Sequence, residues 1–431
     1  MSVPRAPPGI DADAVRYTAC GVQRSARRVG ANSTKKEAPA ISAITPTIDH
    51  LLTRPEIERL LGRAKVALAD TIALTARIAQ IPAPTGAEAE RAAFVAQEMR
   101  AIDLADVRTD DVGNTIGRRP GSGNGPTVMI AAHTDTVFPA ETDLTVRRTT
   151  ERIAGPGVGD NSLGVAAMLT AARLLTTLDV PMAGDVLFVA DVGEEGLGDL
   201  RGMREAVRTY RDHLGAVVAV EGHNLGRVTH RAVGSRRYRI SVQGPGGHSW
   251  GNYGRPNAIH ILAKLITDLV ALPIPTTPKT SLSIGTIEGG VSVNTIAPTA
   301  STLVDLRSIS QANLERLAAQ VERAVRAVHI ADVQVTAEIL GDRPAGDLPA
   351  DAPIVRTCME TLRALGISPT LDASSTDANV PIGLGIPAVC IGIAEGGNAH
   401  RLEEFIRIST IPKGLQQLLL LILALGGYDA A

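Results

Sequence analysis

Histidine and acidic residues stand at the ends of several apolar, β-rich runs in this sequence. Three such runs, at residues 128–132, 186–190 and 216–220, are each followed within a few positions by residues of these types. They are His133 and Asp135 after the first run, Glu194 and Glu195 after the second, and Glu221 after the third. Because the carboxyl ends of strands in an open α/β sheet share one edge, where ligands bind, we expect these side chains to meet there. Imidazole and carboxylate groups together are typical of a divalent metal site.

Two further residues complete this candidate metal site. Asp160 follows a glycine-rich segment and precedes a helical pattern, and His400 ends the segment Gly-Gly-Asn-Ala-His. Taken singly, none of these residues is diagnostic. A histidine at a strand end is more often structural, Asp160 is most simply a helix N-cap, and paired glutamates usually form a solvated turn. Their joint placement after successive buried-looking segments favours the metal site.

A two-metal hydrolase needs ligands for both ions, a carboxylate that bridges ions about 3.5–4 Å apart, and a free carboxylate that takes a proton from water. The ligands can come from His133, Asp160, Glu195, Glu221 and His400. Asp135 lies two residues from His133, on the same side of a strand, and can therefore orient that imidazole. Glu194 can act as the base, because adjacent residues at a strand end point in opposite directions.

The composition is that of a globular protein with more than one domain. The chain has 431 residues, 44% of them hydrophobic and 20% charged, and chains beyond about 300 residues usually divide into domains. A net charge of −2 and an aromatic content of 2% argue against binding to nucleic acid or an anionic membrane. The three cysteines, Cys20, Cys358 and Cys390, are widely spaced, which argues against a disulfide framework and fits a reducing compartment. The longest apolar run, at 418–425, is shorter than a membrane span of about 20 residues.

The hydrophobic periodicities predict an α/β fold in two parts. Strands alternate with helices over residues 49–233 and again over 346–431, which is typical of a three-layer domain with a mixed central sheet. Between them, residues 234–345 follow a β-α-β-β-α-β order that predicts a smaller, ferredoxin-like α+β insert. Residues 1–48 carry seven Lys or Arg against three Asp or Glu and no hydrophobic periodicity, so we expect a disordered tail there.

As a set, these motifs resemble the di-zinc metallopeptidase family that contains peptidase T, carboxypeptidase G, aminoacylase and the acetylornithine and succinyl-diaminopimelate deacylases. The resemblance covers the chain from about residue 65 to its end, with the motifs in family order. The matching stretches are AAHTD at 131–135, GDNSLG at 159–164, GEEG at 193–196, GGHS at 246–249, SVNTI at 292–296, DLR at 305–307, STDA at 375–378 and GNAH at 397–400. Any one stretch alone is a weak signal, but together they are highly specific.

The resemblance implies which residues hold which ion. The ligands of one zinc ion would be His133 and Glu221, those of the other Glu195 and His400, with Asp160 bridging the two. Cobalt or manganese could replace zinc, because metal preference follows availability as much as ligand type. Glu221 stands where many members carry Asp, which changes the reach of the side chain by one methylene but not the type of ligand.

The resemblance also implies the roles of the residues around the ions. Asp135 would orient His133, and Glu194 would act as general base and acid. Members often have a cis peptide bond after the bridging aspartate, so the Asp160–Asn161 bond is expected to be cis.

The insert resembles the lid of this family, which also forms the dimer. His248 would reach the active site of the partner subunit and help to stabilise the oxyanion. Asn294 and Arg307 would grip the substrate, and the planar fork of Arg307 suits a carboxylate. Simpler interpretations stay open, with His248 as a structural turn residue and Arg307 as part of a surface ion pair. We expect a homodimer formed through the lid.

The resulting hypothesis is a cytoplasmic di-zinc hydrolase that acts on short peptides as a di- or tripeptide exopeptidase. The segments AVGS at 232–235 and GPGGHSW at 244–250 look closest to peptidase T-like members. The alternatives within the family are a deacylase of N-acyl amino acids and a carboxypeptidase. A catalytically silent binding homologue is a remote alternative, because all seven residues expected of the metal site and its base are present.

Overall fold

Helices form the outer layers of the protein, whose computed structural model describes residues 46–429. They are α1 (Ile48–Leu52), α2 (Pro55–Val66), α3 (Leu68–Ala79), α4 (Ala89–Ala101), α5 (Leu163–Thr177), α6 (Arg201–Tyr210), α7 (Ala258–Val270), α8 (Gln311–Arg326), α9 (Pro353–Ala364), α10 (Asn379–Gly383) and α11 (Ile411–Gly426). In α2 the buried residues Ile57, Leu60, Leu61 and Ala64 recur at helical spacing, as expected for a helix with one face on the core.

The strands are mostly short. They are β1 (Ala105–Thr109), β2 (Thr115–Arg119), β3 (Thr127–His133), β4 (Arg147–Arg148), β5 (Arg152–Ala154), β6 (Val186–Asp191), β7 (Leu214–Glu221), β8 (Arg227–Ala232), β9 (Gly234–Gln243), β10 (Gly247–His248), β11 (Thr280–Gly289), β12 (Thr295–Ile296), β13 (Thr299–Ser308), β14 (Gln334–Arg343), β15 (Gly346–Asp347), β16 (Thr370–Ser374), β17 (Ala388–Gly392), β18 (Gly396–Gly397) and β19 (Phe405–Arg407).

A nine-stranded mixed sheet organises the larger part of the chain. Its order is β1-β2-β6-β3-β7-β17-β8-β15, with β16 paired to β8. The four central strands β6, β3, β7 and β17 run parallel, so their carboxyl ends lie at one edge. Antiparallel strands complete the sheet on both sides.

Helices cover both faces of this sheet, and its central strands are therefore buried on both sides. Along β3, Val128, Ile130 and Ala132 pack into one core, and the alternate residues Met129 and Ala131 pack into the other. Successive side chains of a strand point to opposite faces, so an uninterrupted apolar strand feeds two cores. The predicted three-layer architecture with a mixed sheet is confirmed.

A second, four-stranded antiparallel sheet has the order β11-β13-β9-β14. Helices α7 and α8 bury Leu262, Leu265 and Leu317 in a core of its own. The chain order β9-α7-β11-β13-α8-β14 is the predicted ferredoxin-like β-α-β-β-α-β order. The proposed domain boundaries, 49–233 with 346–431 and 234–345, stay a prediction, as does the N-terminal tail. Most of that tail lies outside the described residues, and Ile48 begins α1 and is buried.

One described helical segment has the length and composition of a membrane span. Residues Ile408–Gly426 have a mean hydropathy of 1.5, and 78% of that window is buried inside the protein. A buried core helix has the same composition as a span. In this fold α11 packs against α9, α2 and α5, and this packing accounts for its apolar sequence.

The central strand β6 offers a test of the core. Phe188 is fully buried in it, so Phe188→Ala should lower the free energy of unfolding by about 3–5 kcal/mol through lost burial and the cavity left behind. Val66→Ala, at a side chain that is 67% exposed, is the control and should change it by less than about 0.5 kcal/mol. Urea denaturation of both variants measures the difference, and equal small effects would contradict this packing.

Candidate metal centre

The parallel strands deliver the predicted ligands to one edge of the sheet. β3 ends at His133 and β7 ends at Glu221, while Glu195 follows β6 by four residues. His400 lies in the segment after β17. Asp160 comes from the turn just before α5. The structure therefore brings together all five of the residues that the sequence nominated as ligands.

These residues form two groups that share one member. His133, Asp160 and Glu221 form the first group, and Asp160, Glu195 and His400 form the second; within each group the donor atoms lie within 4.8 Å of one another.

The carboxylate of Asp160 divides its two oxygens between the groups. Oδ1 lies 3.1 Å from Nε2 of His133, and Oδ2 lies 3.0 Å from Nε2 of His400. In the same groups Nε2 of His133 is 3.7 Å from Oε2 of Glu221, and Nε2 of His400 is 3.0 Å from Oε1 of Glu195. The Asp160–Asn161 peptide bond is cis, as the sequence analysis expected.

The tautomer of His133 follows from its contacts. Nδ1 lies 3.1 Å from the main-chain oxygen of Asp135, which can only accept, so Nδ1 carries the proton. Nε2 is therefore the nitrogen that can offer its lone pair to a metal ion. It is buried, and although carboxylate oxygens lie near it, it has no hydrogen-bond partner of acceptable geometry among the described residues. A buried imidazole lone pair aimed at carboxylates is what a metal ligand requires.

Asp135 fixes the segments on either side of the candidate site. Its carboxylate accepts hydrogen bonds from the main-chain N–H groups of Glu194 and Glu195, at 2.9 Å each, and from the hydroxyl of Thr85 at 2.8 Å. Burial alone would raise the pKa of Asp135, but the contacts with His133 and these donors lower it to about 2. Asp135 thus connects the end of β3 to the segment after β6.

The electrostatics of the site favour bound positive charge. Burial by itself lowers the pKa of His133, but Glu221 and the neighbouring carboxylates raise it well above its ordinary value. Hydrogen bonds to Asp160 and Glu195 raise the pKa of His400 to about 10. A proton and a metal cation compete for the same lone pair, so a site that attracts one attracts the other.

The spacing of the donors fits metal coordination. Two donors that are each about 2.0–2.1 Å from one ion in tetrahedral geometry stand about 3.3 Å apart. The separations of 3.0 to 3.7 Å found in the two groups bracket this value. Imidazole and carboxylate donors suit zinc and similar divalent ions. Both groups therefore fit a divalent cation, with Asp160 common to the two.

Glu194 belongs to neither group and is held by an arginine that the sequence analysis missed. Nη1 of Arg343 donates to Oε1 of Glu194 at 3.0 Å and to the hydroxyl of Ser375 at 3.1 Å, and Nη2 donates to the main-chain oxygen of Glu194. Both side chains are less than 10% exposed. Burial raises the pKa of Glu194 to about 8, against the opposing charge of Arg343. Arg343 ends β14, so its position next to Glu194 appears only once the chain folds back.

Glu404 and His223 are a second pair that the sequence analysis missed. His223 follows Glu221 by two residues, and Glu404 follows His400 by four. The Nε2 atom of His223 lies 2.8 Å from Oε1 of Glu404, and both residues are buried. Their spacing from two nominated ligands was the only signal in the sequence.

Asp377, in the STDA stretch, is buried beside Asp191. Burial and the charge of Asp191 raise the pKa of Asp377 well above its ordinary value. Asp377 does not line the cleft described below, which agrees with a supporting position.

An open cleft of about 320 Å³ lies beside the two groups. Asp160, Glu194 and Glu221 line it, as do His223 and Arg227. Its small polar residues are Asn224, Thr229, Ser374, Ser375, Thr376 and Asn398. A cleft lined by Asp160, the member common to both groups, and by Glu194, which belongs to neither, is where a substrate would bind.

The residues nominated within 234–345 are not brought to this cleft. Among residues 46–429, His248, Asn294 and Arg307 neither line it nor contact either group. His248 is exposed, and its Nδ1 accepts the N–H groups of Trp250 and Gly251. Arg307 pairs with Asp305 at 2.7 Å, as its simpler interpretation suggested.

The fold and this site define a hydrolase of a known family. Residues 129–424 match the model of "Peptidase family M20/M25/M40", and the chain belongs to that family. It is thus an enzyme of the class that the sequence resemblance suggested.

Relatives in the family include both deacylases and peptidases. The chain is 26% identical over 351 residues to the succinyl-diaminopimelate desuccinylase of Corynebacterium glutamicum, a match covering 78% of this chain and 92% of the relative. It is 30% identical over 251 residues to a probable carboxypeptidase of Aspergillus flavus, covering 53% and 59%. The crystal structure of aminopeptidase PepT from Bacillus cereus superimposes with a TM-score of 0.69 at 22% identity, covering 83% of this chain and 98% of that one. The last likeness concerns the fold alone.

The pair of Arg343 and Glu194 gives a test of this site. At about pH 9, where the Glu194 carboxyl group with its pKa of about 8 is ionised, Arg343→Met leaves a buried carboxylate without its partner and should lower the free energy of unfolding by about 3–5 kcal/mol. Adding Glu194→Gln should recover part of this loss, because the remaining group is then neutral. Urea denaturation of the single and double variants measures the coupling.

The surface pair of Arg239 and Glu338 supplies the control. Their side chains are 48% and 62% exposed, so Arg239→Met should cost at most about 1 kcal/mol. If Arg343→Met costs no more than Arg239→Met, then Arg343 and Glu194 do not form a buried pair.

Proposed function

We propose that this protein hydrolyses an amide bond of short peptides, as a di- or tripeptide exopeptidase, with two divalent cations bound. Zinc is the first candidate, with cobalt or manganese as substitutes. One ion would be held by His133, Asp160 and Glu221, and the other by Asp160, Glu195 and His400. The observation that carries the proposal is the carboxylate of Asp160, which turns one oxygen towards each group.

The chemistry would be divided between the ions and the chain. The two cations, when bound, would polarise the scissile carbonyl and lower the pKa of the attacking water. Glu194 faces the cleft. It would take a proton from that water while the oxygen of the water bonds to the carbonyl carbon. The same carboxyl group would then pass the proton to the leaving nitrogen as the C–N bond breaks.

Other residues would prepare the site for this reaction. The main-chain oxygen of Asp135 would keep the proton of His133 on Nδ1, and so leave Nε2 free for an ion. Arg343 would hold one oxygen of Glu194 and leave the other to reach the water. Each role uses a contact that exists in the folded chain before substrate arrives.

We further propose that His248, Asn294 and Arg307 act on substrate from a neighbouring subunit. His248 and Asn294 are exposed, and the side chain of Arg307 is 43% exposed, so a second copy of the chain could receive them. The homodimer through the unit at 234–345 and the cytoplasmic location remain predictions. The described cysteines, Cys358 and Cys390, are free and buried, which agrees with a reducing compartment.

A second candidate is a deacylase that releases an amino acid from its N-acyl derivative. It is favoured by the match to the Corynebacterium glutamicum desuccinylase, which extends over 92% of that protein. A carboxypeptidase of the same family is the other alternative, in view of the Aspergillus flavus relative. The exopeptidase, the deacylase and the carboxypeptidase would all hydrolyse an amide at its carbonyl carbon. They differ in the chemical substituents on either side of that amide.

The shared ligand can be tested by metal content. After loading with Zn²⁺ and dialysis, the wild-type chain should retain two ions, measured by mass spectrometry of the metal. His133→Ala and His400→Ala should each lose one ion. Asp160→Ala should lose both, because it removes a donor from each group.

Asp347→Ala is the matched control, since this half-exposed aspartate pairs with Arg231 away from the candidate site. It should retain two ions. Loss of only one ion in Asp160→Ala would mean that this carboxylate does not serve both groups.

The reaction can be tested with a panel of dipeptides, tripeptides and N-acetyl and N-succinyl amino acids. The zinc-loaded protein should cleave at least one class, and Glu194→Gln should lower kcat by about 100- to 10,000-fold while two ions remain bound. Glu205→Gln, at a surface carboxylate paired with Arg208, is the control.

The preferred member of the panel decides between the candidates. Faster cleavage of the free peptides supports the exopeptidase, and faster cleavage of the acylated amino acids supports the deacylase. No cleavage of any member by a chain with two bound ions would contradict both and favour a silent homologue.

A further inference from the structure

The carboxylate of Glu404 is completely buried and is surrounded by hydrogen-bond donors. Its Oε1 accepts from the main-chain N–H groups of Gly159 and Asp160, at 2.7 Å each, and Oε2 accepts from the N–H of Gly157 at 3.0 Å. His223 completes the set through Nε2 at 2.8 Å. Among the described residues no Arg or Lys pairs with Glu404. Main-chain donors therefore supply most of the compensation that a buried carboxylate needs.

These donors belong to the segments that carry the candidate ligands. The three N–H groups lie in the turn that ends at Asp160, the ligand common to both groups. His223 is two residues beyond Glu221 of the first group, and Glu404 itself is four residues beyond His400 of the second. One carboxylate thus links the turn of Asp160 to the segments behind both groups. Neither Glu404 nor His223 belongs to a group itself.

The packing around His223 leaves this arrangement little freedom. A Cβ atom at Gly159 would lie 2.2 Å from Nε2 of His223, and one at Gly396 would lie 2.5 Å from Nδ1. Both distances are far below a van der Waals contact, so the ring fits only between two glycines. The main chain adds to the link, because the N–H of Gly155 donates to the main-chain oxygen of Glu404 at 2.9 Å.

We propose that Glu404, together with His223, is a positioning residue that holds Asp160 in place between the two groups, so that a change at Glu404 weakens cation binding at both. The proposal rests on the proposed function, since it concerns the same two cation sites. Glu404 would act on the ions only through the turn of Asp160 and would not touch substrate.

The chemistry of the carboxylate determines what a substitution does. Four donors converge on two oxygens, and glutamine keeps one oxygen and adds an N–H₂ donor. In Glu404→Gln the amide would face at least one of the donors, and the turn would shift to separate them. Removing partners of this kind behind a metal ligand typically weakens metal binding about 10- to 100-fold.

The experiment is a calorimetric titration of metal-free protein with Zn²⁺, together with the visible spectrum of the Co²⁺-loaded form. Glu404→Gln should weaken both binding steps about 10- to 100-fold and change the Co²⁺ spectrum. His223→Phe keeps a ring in the slot but removes one donor, and it should give a smaller loss. The control is Glu98→Gln, at a carboxylate on α4 that pairs with Arg77 and Arg173 away from both groups.

A purely structural role would give a different result. In that case the metal-free Glu404→Gln protein would unfold more easily in urea, but its folded form would bind both ions as tightly as the wild type, which would overturn the proposal. If Glu404→Gln does not fold, then His223→Phe decides, and unchanged binding in it is the contradicting outcome.

A failure of the proposed function itself would be seen in the wild-type protein. If the wild-type chain itself binds no cation, both proposals fall. If the wild type binds two ions and cleaves substrate while Glu404→Gln binds them unchanged, only the positioning role is refuted.

Discussion

The crowding of negative charge around Asp160 is the constraint on which the rest of the site depends. Asp160, Glu195 and Glu221 approach two imidazoles within a few ångströms, with Glu194 close by. Two like charges about 4 Å apart repel by roughly 4 kcal/mol at an effective dielectric constant near 20. Such a cluster needs positive charge within it, and the donor spacing offers two places for cations.

The central sheet makes this crowding possible. Four parallel strands end at one edge, and each ends at a candidate ligand or leads into a segment that carries one. Because the strands are anchored in cores on both faces, their ends cannot move apart to relieve repulsion. The large apolar area buried by the layers thus offsets the cost of a charged site at the edge.

The second sheet is joined to the site by polar contacts. Arg343, at the end of β14, reaches Glu194, and the N–H of Asp342 donates to Oδ1 of Asp199 at 2.7 Å. Arg236, near the start of β9, pairs with Asp342 at 2.6 Å. The chain passes between the two sheets twice, just before β9 and just after β14. Through Asp342, both connections are therefore held to the segment that follows β6. The position of Glu194, the candidate base, therefore depends on where the chain returns from the second sheet to the nine-stranded sheet.

Asp160 would act on the two groups directly, whereas Glu404 would act on them through the main chain. Asp160 brings the two groups together through its own oxygens, and Glu404 fixes the turn that presents it. A buried acid that accepts three main-chain N–H groups has few alternative positions, because each donor would otherwise lose its partner. Rigidity behind the ligands is what keeps donor separations near those that an ion requires.

The sequence by itself determined the architecture and the five candidate ligands. Apolar runs such as 128–132 and 186–190 specify buried strands, and their carboxyl ends must share an edge, so local patterns were sufficient to place His133, Glu195 and Glu221 together. Asp160 and His400 were nominated from the segments around them, the family resemblance added the cis bond, and the structure agrees with all three.

Only the tertiary structure decided which residues support those ligands. Arg343 lies 149 positions from Glu194, and Glu404 lies 245 positions from Gly159. No local pattern relates residues so far apart, because their contacts arise from the return of the chain across the sheet. The same reason explains why His248, Asn294 and Arg307 were nominated from motifs yet lie away from the cleft of their own chain: a motif fixes residue types, whereas the packing of whole units fixes distances.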